Sequence, residues 1–543
     1  MQKVVVGGKT LDNIAMSMYK EAKIIFREYI QNAVDAIDDA VKVGFLAAGS
    51  GEINIFIDKK ARQITIEDNG IGVSALNFRS TLIDIGNSDK KLEKDRGYRG
   101  IGRFCGLAYC KTLIFTSTRK GESKLSIMTF DAEKLHAMIN DDEKYTAEFI
   151  LNAAVTFAED TCADAEHFFK VDMLDVTNDD LLDAENIREY LSFVAPVEYS
   201  NMFSYREQIA KHAAALNFKI TEYKIYVNGE QLVKNYRDNF TTKNGEDKIF
   251  GVEFRDFRDE ADNLIAWSWI GLSQFKGIIQ QTKTNPNHMR CIRLRAGNIQ
   301  IGDEFALRKL FDEARGITYF IGEVYAVDTN LKPNSQRDYF ADNDTLKLFE
   351  SKLGDYFKEL YDLYRYASEC RSAFKAIIQP EIFMQKIEAH TPEYQKTHRA
   401  EHITELAALN QKADKAQELI DAERQAAENN SDTIFARVFK QIDTNAPSID
   451  DYYPNPTPRC CCNIGRKKPN SFTMEFTRLY LPIRRLRVRL SSTRLTRCLP
   501  NEPPRLAVGA ELQKQIHPVE SAQAELVFPR DLRGRRALLQ GRP

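Results

Sequence analysis

The chain has 543 residues, more than one hydrophobic core usually holds, so about three compact units are expected. Lys and Arg number 76 against 78 Asp and Glu, and the resulting net charge of −2 gives no overall case for nucleic-acid binding. No apolar run approaches about 18 residues and the first ten residues are too short and glycine-broken for a secretory leader, so a cytoplasmic protein without a membrane span is expected, its nine cysteines held as thiols.

The first motif along the chain is a false one. Gly7-Gly8-Lys9-Thr10 resembles the end of a P-loop, but Lys3 stands where the leading glycine belongs and no strand has room to precede it. The next is more informative. In Phe26-Arg27-Glu28-Tyr29-Ile30-Gln31-Asn32-Ala33-Val34-Asp35-Ala36, a helical pattern places Glu28, Asn32 and Asp35 on one face among apolar residues. Such a face is either solvated or buried for a purpose, because burying it unsatisfied is costly.

Ile64-Thr65-Ile66-Glu67-Asp68-Asn69-Gly70-Ile71-Gly72-Val73 reads as a strand ending in a tight turn, with Asp68 at the strand end. Gly70 and Gly72 open backbone conformations closed to other residues and let a flat ligand approach the main chain. Arg96-Gly97-Tyr98-Arg99-Gly100-Ile101-Gly102-Arg103-Phe104-Cys105-Gly106 then follows a charged, loop-like stretch and is expected to open a helix. Glycines there would present free amides to a phosphate chain, with Arg99 and Arg103 adding positive charge. The Gly100-x-Gly102-x-x-x-Gly106 spacing is one residue too long for a dinucleotide fingerprint, so a Rossmann reading fails.

The order of these three motifs resembles the GHKL superfamily of ATPases, and most closely the ninety-kilodalton heat-shock chaperones and their bacterial relatives. The resemblance, close over about the first 200 residues and looser to about 345, implies an α+β protein: a two-layer α/β sandwich ATPase domain with the Bergerat fold over residues 1–200 and a mixed α/β transducer-like domain over 201–345; periodicity and composition add a helical region over 346–445 and a basic, disordered or atypical tail over 446–543. It implies ATP and Mg2+ as cofactors. Glu28 would be the general base, Asn32 the Mg2+ ligand and Asp68 the acceptor for the adenine amino group. Asp35 would support the pocket, Gly70, Ile71, Gly72 and Val73 would line the base, and Arg99, Gly100, Ile101, Gly102, Arg103, Phe104 and Gly106 would form the phosphate lid and helix start. Arg27 would tune the base. Two departures stand out: Cys105 occupies a place usual for Gly or Ser, and around His167-Phe168-Phe169-Lys170-Val171 the expected Gly-Thr pair behind adenine has no counterpart.

Further along, residues 178–194 read as helical, and strand-like runs follow at 219–227, 249–254, 264–272 and 290–294, with a turn at Asn228-Gly229. Residues 303–314 read as a helix, and 319–327 form an apolar run within the same mixed α/β unit. By the same resemblance, the loop Lys332-Pro333-Asn334-Ser335-Gln336-Arg337-Asp338 would carry the γ-phosphate sensor, either Arg337 or Gln336. Residues 345–374 and 391–439 read as long helices forming a coiled coil, a dimerisation element or a plain hairpin, and His390, His398 and His402 are expected at the surface. After about Pro454 arginine replaces lysine, Cys460-Cys461-Cys462 appears without zinc spacing, and Arg484-Arg485-Leu486-Arg487-Val488-Arg489 suggests either a nucleic-acid contact or a disordered tail.

The implied function is a Mg-dependent ATPase acting as a nucleotide-gated, chaperone-like clamp, expected as a homodimer with a protein client or DNA as partner. The alternatives are a DNA-associated GHKL ATPase of the mismatch-repair or MORC kind, a histidine kinase, disfavoured because no His precedes Glu28 in the ATP-site region, and a non-hydrolysing nucleotide-gated scaffold.

Overall fold

A computed structural model describes residues 6–11, 21–83, 102–141, 143, 145–281, 287–334 and 336–452. Arg99, Gly100 and Ile101 of the glycine-rich motif, Ser335 of the sensor loop and the Arg-rich segment after Pro454 lie outside the described residues.

Alternation builds the first sheet. In β1 (Glu52–Asp58) the isoleucines at 53, 55 and 57 are buried, and in β2 (Gln63–Asp68) the same rhythm buries Ile64, Ile66 and Asp68. The sheet has eight strands in the order β5-β4-β3-β6-β2-β1-β7-β8, where β3 is Thr112–Thr118, β4 Lys124–Asp131, β5 Val155–Thr161, β6 Phe168–Leu174, β7 Lys224–Val227 and β8 Glu230–Gln231. Only the β1–β7 pairing is parallel. Asn228 and Gly229, both at positive φ, make the β7–β8 turn.

Helices cover one face of this sheet: α1 (Ile24–Lys42), α2 (Ala75–Ile83), α3 (Ala132–Ile139), α4 (Ala147–Ala154) and α5 (Ala184–Val194). One core joins Ile25, Phe26, Ile30 and Val34 of α1 to the buried residues of β1 to β4, giving a two-layer α/β sandwich. The starts of α3, α4 and α5 are capped by Asp131, Thr146 and Asp183, whose side chains accept the amides of Lys134, Phe149 and Asn186.

After α6 (Arg206–Ala215), a hairpin of β9 (Asn239–Thr242) and β10 (Gly245–Lys248) leads into a second mixed sheet ordered β11-β12-β15-β13-β14. Its strands are β11 (Gly251–Arg258), β12 (Leu264–Leu272), β13 (Cys291–Ala296), β14 (Ile299–Gln300) and β15 (Ile321–Ala326), and the β13–β15 pair is parallel. Residues 303–314, expected as a helix, hold only a 3-10 turn at Arg308–Leu310. Tertiary contacts override the helical spacing here: Phe311 adopts an extended backbone and packs against Phe320 and Phe357, while Glu304 is drawn to Arg290 and Arg293.

A fully buried ionic cluster lies between this sheet and the segments leading into it. Glu323 on β15 accepts from Arg295 Nε on β13 at 2.5 Å, Tyr325 Oη at 2.6 Å, Tyr236 Oη at 3.0 Å and Tyr199 Oη. Lys234 Nζ lies 3.5 Å from the same carboxylate and donates to Asn298 Oδ1 at 2.7 Å. Arg295 also donates to the carbonyl of Phe193 in α5, so the cluster ties the second sheet to the first helical layer.

After the second sheet the described residues are mainly helical: α7 (Asp344–Glu388), α8 (Pro392–Thr397), α9 (Arg399–Asn429) and α10 (Ile434–Thr444). Tyr366 bonds Glu423 while Phe383 meets His402, so α7 and α9 run antiparallel as a hairpin within one chain. The apolar face of α7, from Leu346 to Phe374, packs against the second sheet and this hairpin. His402, expected at the surface, is buried beside Phe383, because the antiparallel register carries it under the end of α7.

Candidate functional site

The polar face of α1 is buried. Glu28 is 3% exposed and Asp35 7%, with Asn32 half-buried between them, in a helix whose remaining inward residues are core. Of the two readings of this face, burial excludes the solvated one, and its polar groups need partners within the fold.

The Asp68-x-Gly70-x-Gly72 turn packs against the same helix. Strand alternation aims Asp68 at the helix layer, and its Oδ1 accepts the amide of Gly70 at 2.8 Å. The amide of Ile71 reaches the carbonyl of Ala36, next to Asp35, at 3.0 Å. Gly72 sits at φ +66°, and a Cβ there would lie 1.9 Å from the carbonyl oxygen of Thr118, so only glycine lets the turn pass this close to β3. At Gly70 a Cβ would lie 2.7 Å from the backbone of Ala36.

The glycine-rich motif meets α1 from the other end. Gly102–Ala108 forms a 3-10 helix rather than the expected α-helix; it is confined by the entry into β3 four residues later and by contacts with α1. A Cβ on Gly102 would stand 2.5 Å from Glu28 Oε2, so the turn's first residue lies directly against the carboxylate. Phe104 is buried in the core against Phe130, and Arg103 stacks over Phe104. Cys105 is 2% exposed; burial first and the Glu28 carboxylate second push its thiol well up, which keeps a small, uncharged group beside Glu28.

A buried Glu-Asn-Asp helix face, a glycine turn docked on that helix and a glycine-led 3-10 turn against the glutamate thus meet on α1. Residues 21–155, which contain all of these elements, match the family described as histidine kinase-, DNA gyrase B- and HSP90-like ATPase. The N-terminal domain is a GHKL ATPase domain. Among curated proteins the chain is similar to the chaperone protein HtpG of Rickettsia rickettsii strain Sheila Smith, 30% identical over 184 residues, and to those of Rickettsia massiliae, 29% over 182, and Rickettsia bellii, 27% over 179. Each match covers 30% of this chain and 28% of the relative, so the chain spans little more than a quarter of the length of these proteins.

The second domain reaches the GHKL domain at one of its buried carboxylates. Arg337, in the loop before α7, places Nε 3.2 Å from Glu28 Oε1, and Arg27 Nε lies 4.0 Å from the same oxygen. Arg27 also donates to the carbonyl of Gln336 at 3.4 Å, whereas the Gln336 side chain is exposed. Of the two sensor candidates, the geometry brings Arg337 to Glu28. Arg337 holds φ +53°, an uncommon backbone for a bulky residue, and its carbonyl accepts the amide of Gly302 at 2.9 Å.

Several supporting residues were not singled out from sequence. Ser117 on β3 accepts the amide of Val73 and donates to the carbonyl of Phe168 at 2.6 Å, fastening the glycine turn between two strands. His167 Nδ1 lies 2.7 Å from the carbonyl of Gly70. Phe169 pairs directly opposite Asp68 in the β2–β6 register, so at the place searched for a Thr the GHKL domain has a half-buried aromatic ring. An isolated Ser in a strand carries little local signal; only the β3–β6 pairing reveals its role.

Proposed function

We propose that this protein binds Mg-ATP in the GHKL domain and hydrolyses it as a nucleotide-gated clamp of the chaperone kind, with the second domain closing on the nucleotide through Arg337. The observation that carries the reading is the contact of Arg337 with Glu28, which joins the second domain to the residue best placed to activate water. Glu28 Oε1 is buried and held by the ion pairs with Arg337 and Arg27, so it would take a proton from an attacking water once Arg337 moves away. Asn32, one turn along α1, would hold Mg2+, with phosphate oxygens and water supplying the rest of the ion's shell. Asp68 would accept from the adenine amino group while Gly102, beside Glu28, would face the phosphates; the Gly106 amide is held instead by the Tyr29 hydroxyl.

Arg337 then has two partners of the same charge. Before nucleotide enters, its guanidinium neutralises Glu28; a γ-phosphate would compete for it, free the carboxylate as base and draw the second domain inward. Replacing Arg337 by Ala is expected to lower kcat by about a hundredfold while the Kd for ATP changes only a few-fold, as for loss of a single charge-stabilising donor. Turnover and calorimetric binding measured together check this; an unchanged kcat would remove Arg337 from the mechanism.

The basic test of the reading is nucleotide binding and phosphate release by the full chain. Asp68→Asn is expected to lose ATP binding by about a hundredfold, since it replaces a buried acceptor with a group that presents a donor to another donor. Retained binding in that variant would displace adenine from this pocket. The DNA-associated alternative leans on the arginine-rich segment after Pro454, outside the described residues; stimulation of turnover by duplex DNA but not by unfolded protein would favour it. Dimer formation, a protein client and a cytoplasmic location belong to the same proposal, and among the described residues no helix is long and apolar enough to cross a membrane.

A further inference from the structure

We propose that Tyr29 is a positioning residue of the ATPase site, its hydroxyl setting the distance between the Gly102–Ala108 turn and the helix that carries Glu28 and Asn32. The inference rests on the ATPase reading above.

Tyr29 is 3% exposed, and both functions of its hydroxyl are spent on the turn's backbone: Oη donates to the carbonyl of Arg103 at 2.9 Å and accepts the amide of Gly106 at 3.1 Å. Arg103 and Gly106 are separated by three residues, so the phenol spans the two groups that an i→i+3 bond of a 3-10 helix would join. A Cβ on Gly106 would lie 2.6 Å from that oxygen, just as a Cβ on Gly102 would lie 2.5 Å from Glu28 Oε2. The two ends of one turn are therefore seated on two consecutive side chains of α1. Burial pushes the Tyr29 hydroxyl well up, which keeps the proton it needs to donate.

A phenylalanine would fill the same core volume, so packing alone does not account for the hydroxyl. What the hydroxyl adds is a fixed spacing. Without it, the Arg103 carbonyl and Gly106 amide lose their tie to α1, and Gly102 is no longer held at a fixed distance from Glu28. Hydrolysis depends on that spacing more than binding does, because the base pocket at Asp68 lies at the other end of the site and a displacement of about 1 Å in the reacting geometry can cost a hundredfold in rate.

The test is a double-mutant cycle on the full-length chain, with kcat and the Kd for ATP read separately. Tyr29→Phe is expected to lower kcat by about ten- to a hundredfold while Kd stays within about threefold. Gly106→Ala, which drives a methyl into the hydroxyl, should lower kcat similarly. In the double variant the nearest obstacle to that methyl is gone, so its rate should be no lower than that of the slower single variant. Strictly multiplicative losses, or a Tyr29→Phe rate equal to wild type, would overturn the proposal. A parallel loss of Kd and kcat would also overturn it, since it would mean that the hydroxyl only supports the fold. Absence of turnover in the wild-type chain would instead bring down the ATPase reading, and this proposal with it.

Discussion

Glu28→Gln is expected to reduce ATP turnover by about a hundredfold to ten-thousandfold, the range for loss of a positioned general base, while ATP still binds. The amide is nearly isosteric, so the close approach of Gly102 to Oε2 survives, yet it cannot take a proton from water. The substitution has a second consequence particular to this chain. Arg27 and Arg337 converge on Oε1 from the same helix and from the second domain, and both lose their counter-ion at once. Arg337 should then pass to the nucleotide more readily, so the variant is expected to bind ATP as tightly as the wild type or more tightly, and to stay closed. Phosphate release and equilibrium binding on the same preparation check both halves. Turnover within tenfold of wild type would sink the assignment of Glu28 as base.

Glu323→Gln is expected to be the most destabilising single substitution discussed, costing about 3–5 kcal/mol, because it removes the buried carboxylate that pairs with both Arg295 and Lys234. Urea unfolding measures it. Lys234→Met should cost far less: Glu323 keeps Arg295 and its phenol donors, and the lysine is poorly accommodated as a cation. Burial first, and the neighbouring Arg295 second, pull Lys234 down to about 7. Between there and the ordinary lysine value of about 10.4, the unfolded chain binds a proton that the folded chain does not, so the contribution of Lys234 to stability rises with pH across that window. The buried thiols, pushed up by burial, oppose this above the ordinary cysteine value, but they do so equally in both proteins. The stability of wild type relative to Lys234→Met should therefore climb from pH 7 towards pH 10. A flat difference, or a Met variant as damaged as Glu323→Gln, would show that the charged lysine is a full partner of the carboxylate.

The placement of the site on α1 was legible in the sequence because it depends on local geometry. Residues at i, i+4 and i+7 share a helix face wherever the helix lies, so Glu28, Asn32 and Asp35 could be grouped from spacing alone. Alternation likewise put Asp68 at a strand end, and the crowding around Gly70 and Gly72 accounts for the glycines there. The long helices and most strands of the second sheet were visible for the same reason. Where the local pattern pointed wrongly, as at residues 303–314, the aromatic packing of Phe311 outweighed a helical period of moderate strength.

What brings these pieces together came from the tertiary structure. No local rule could bring Gln336 and Arg337 to Arg27 and Glu28, partners 309 positions apart in the chain, or choose Arg337 over its neighbour. Ser117, His167 and the ring of Phe169 enter the site only through the register of β2, β3 and β6. Lys234, Arg295 and Glu323 are ordinary charges in sequence and become a buried cluster only because two sheets and α5 close over them. The amino-acid sequence by itself determined which side chains share a face, since helix and strand periodicity are short-range properties. Only the fold decided which faces meet, because burial and electrostatic pairing depend on what the distant chain brings to the other side.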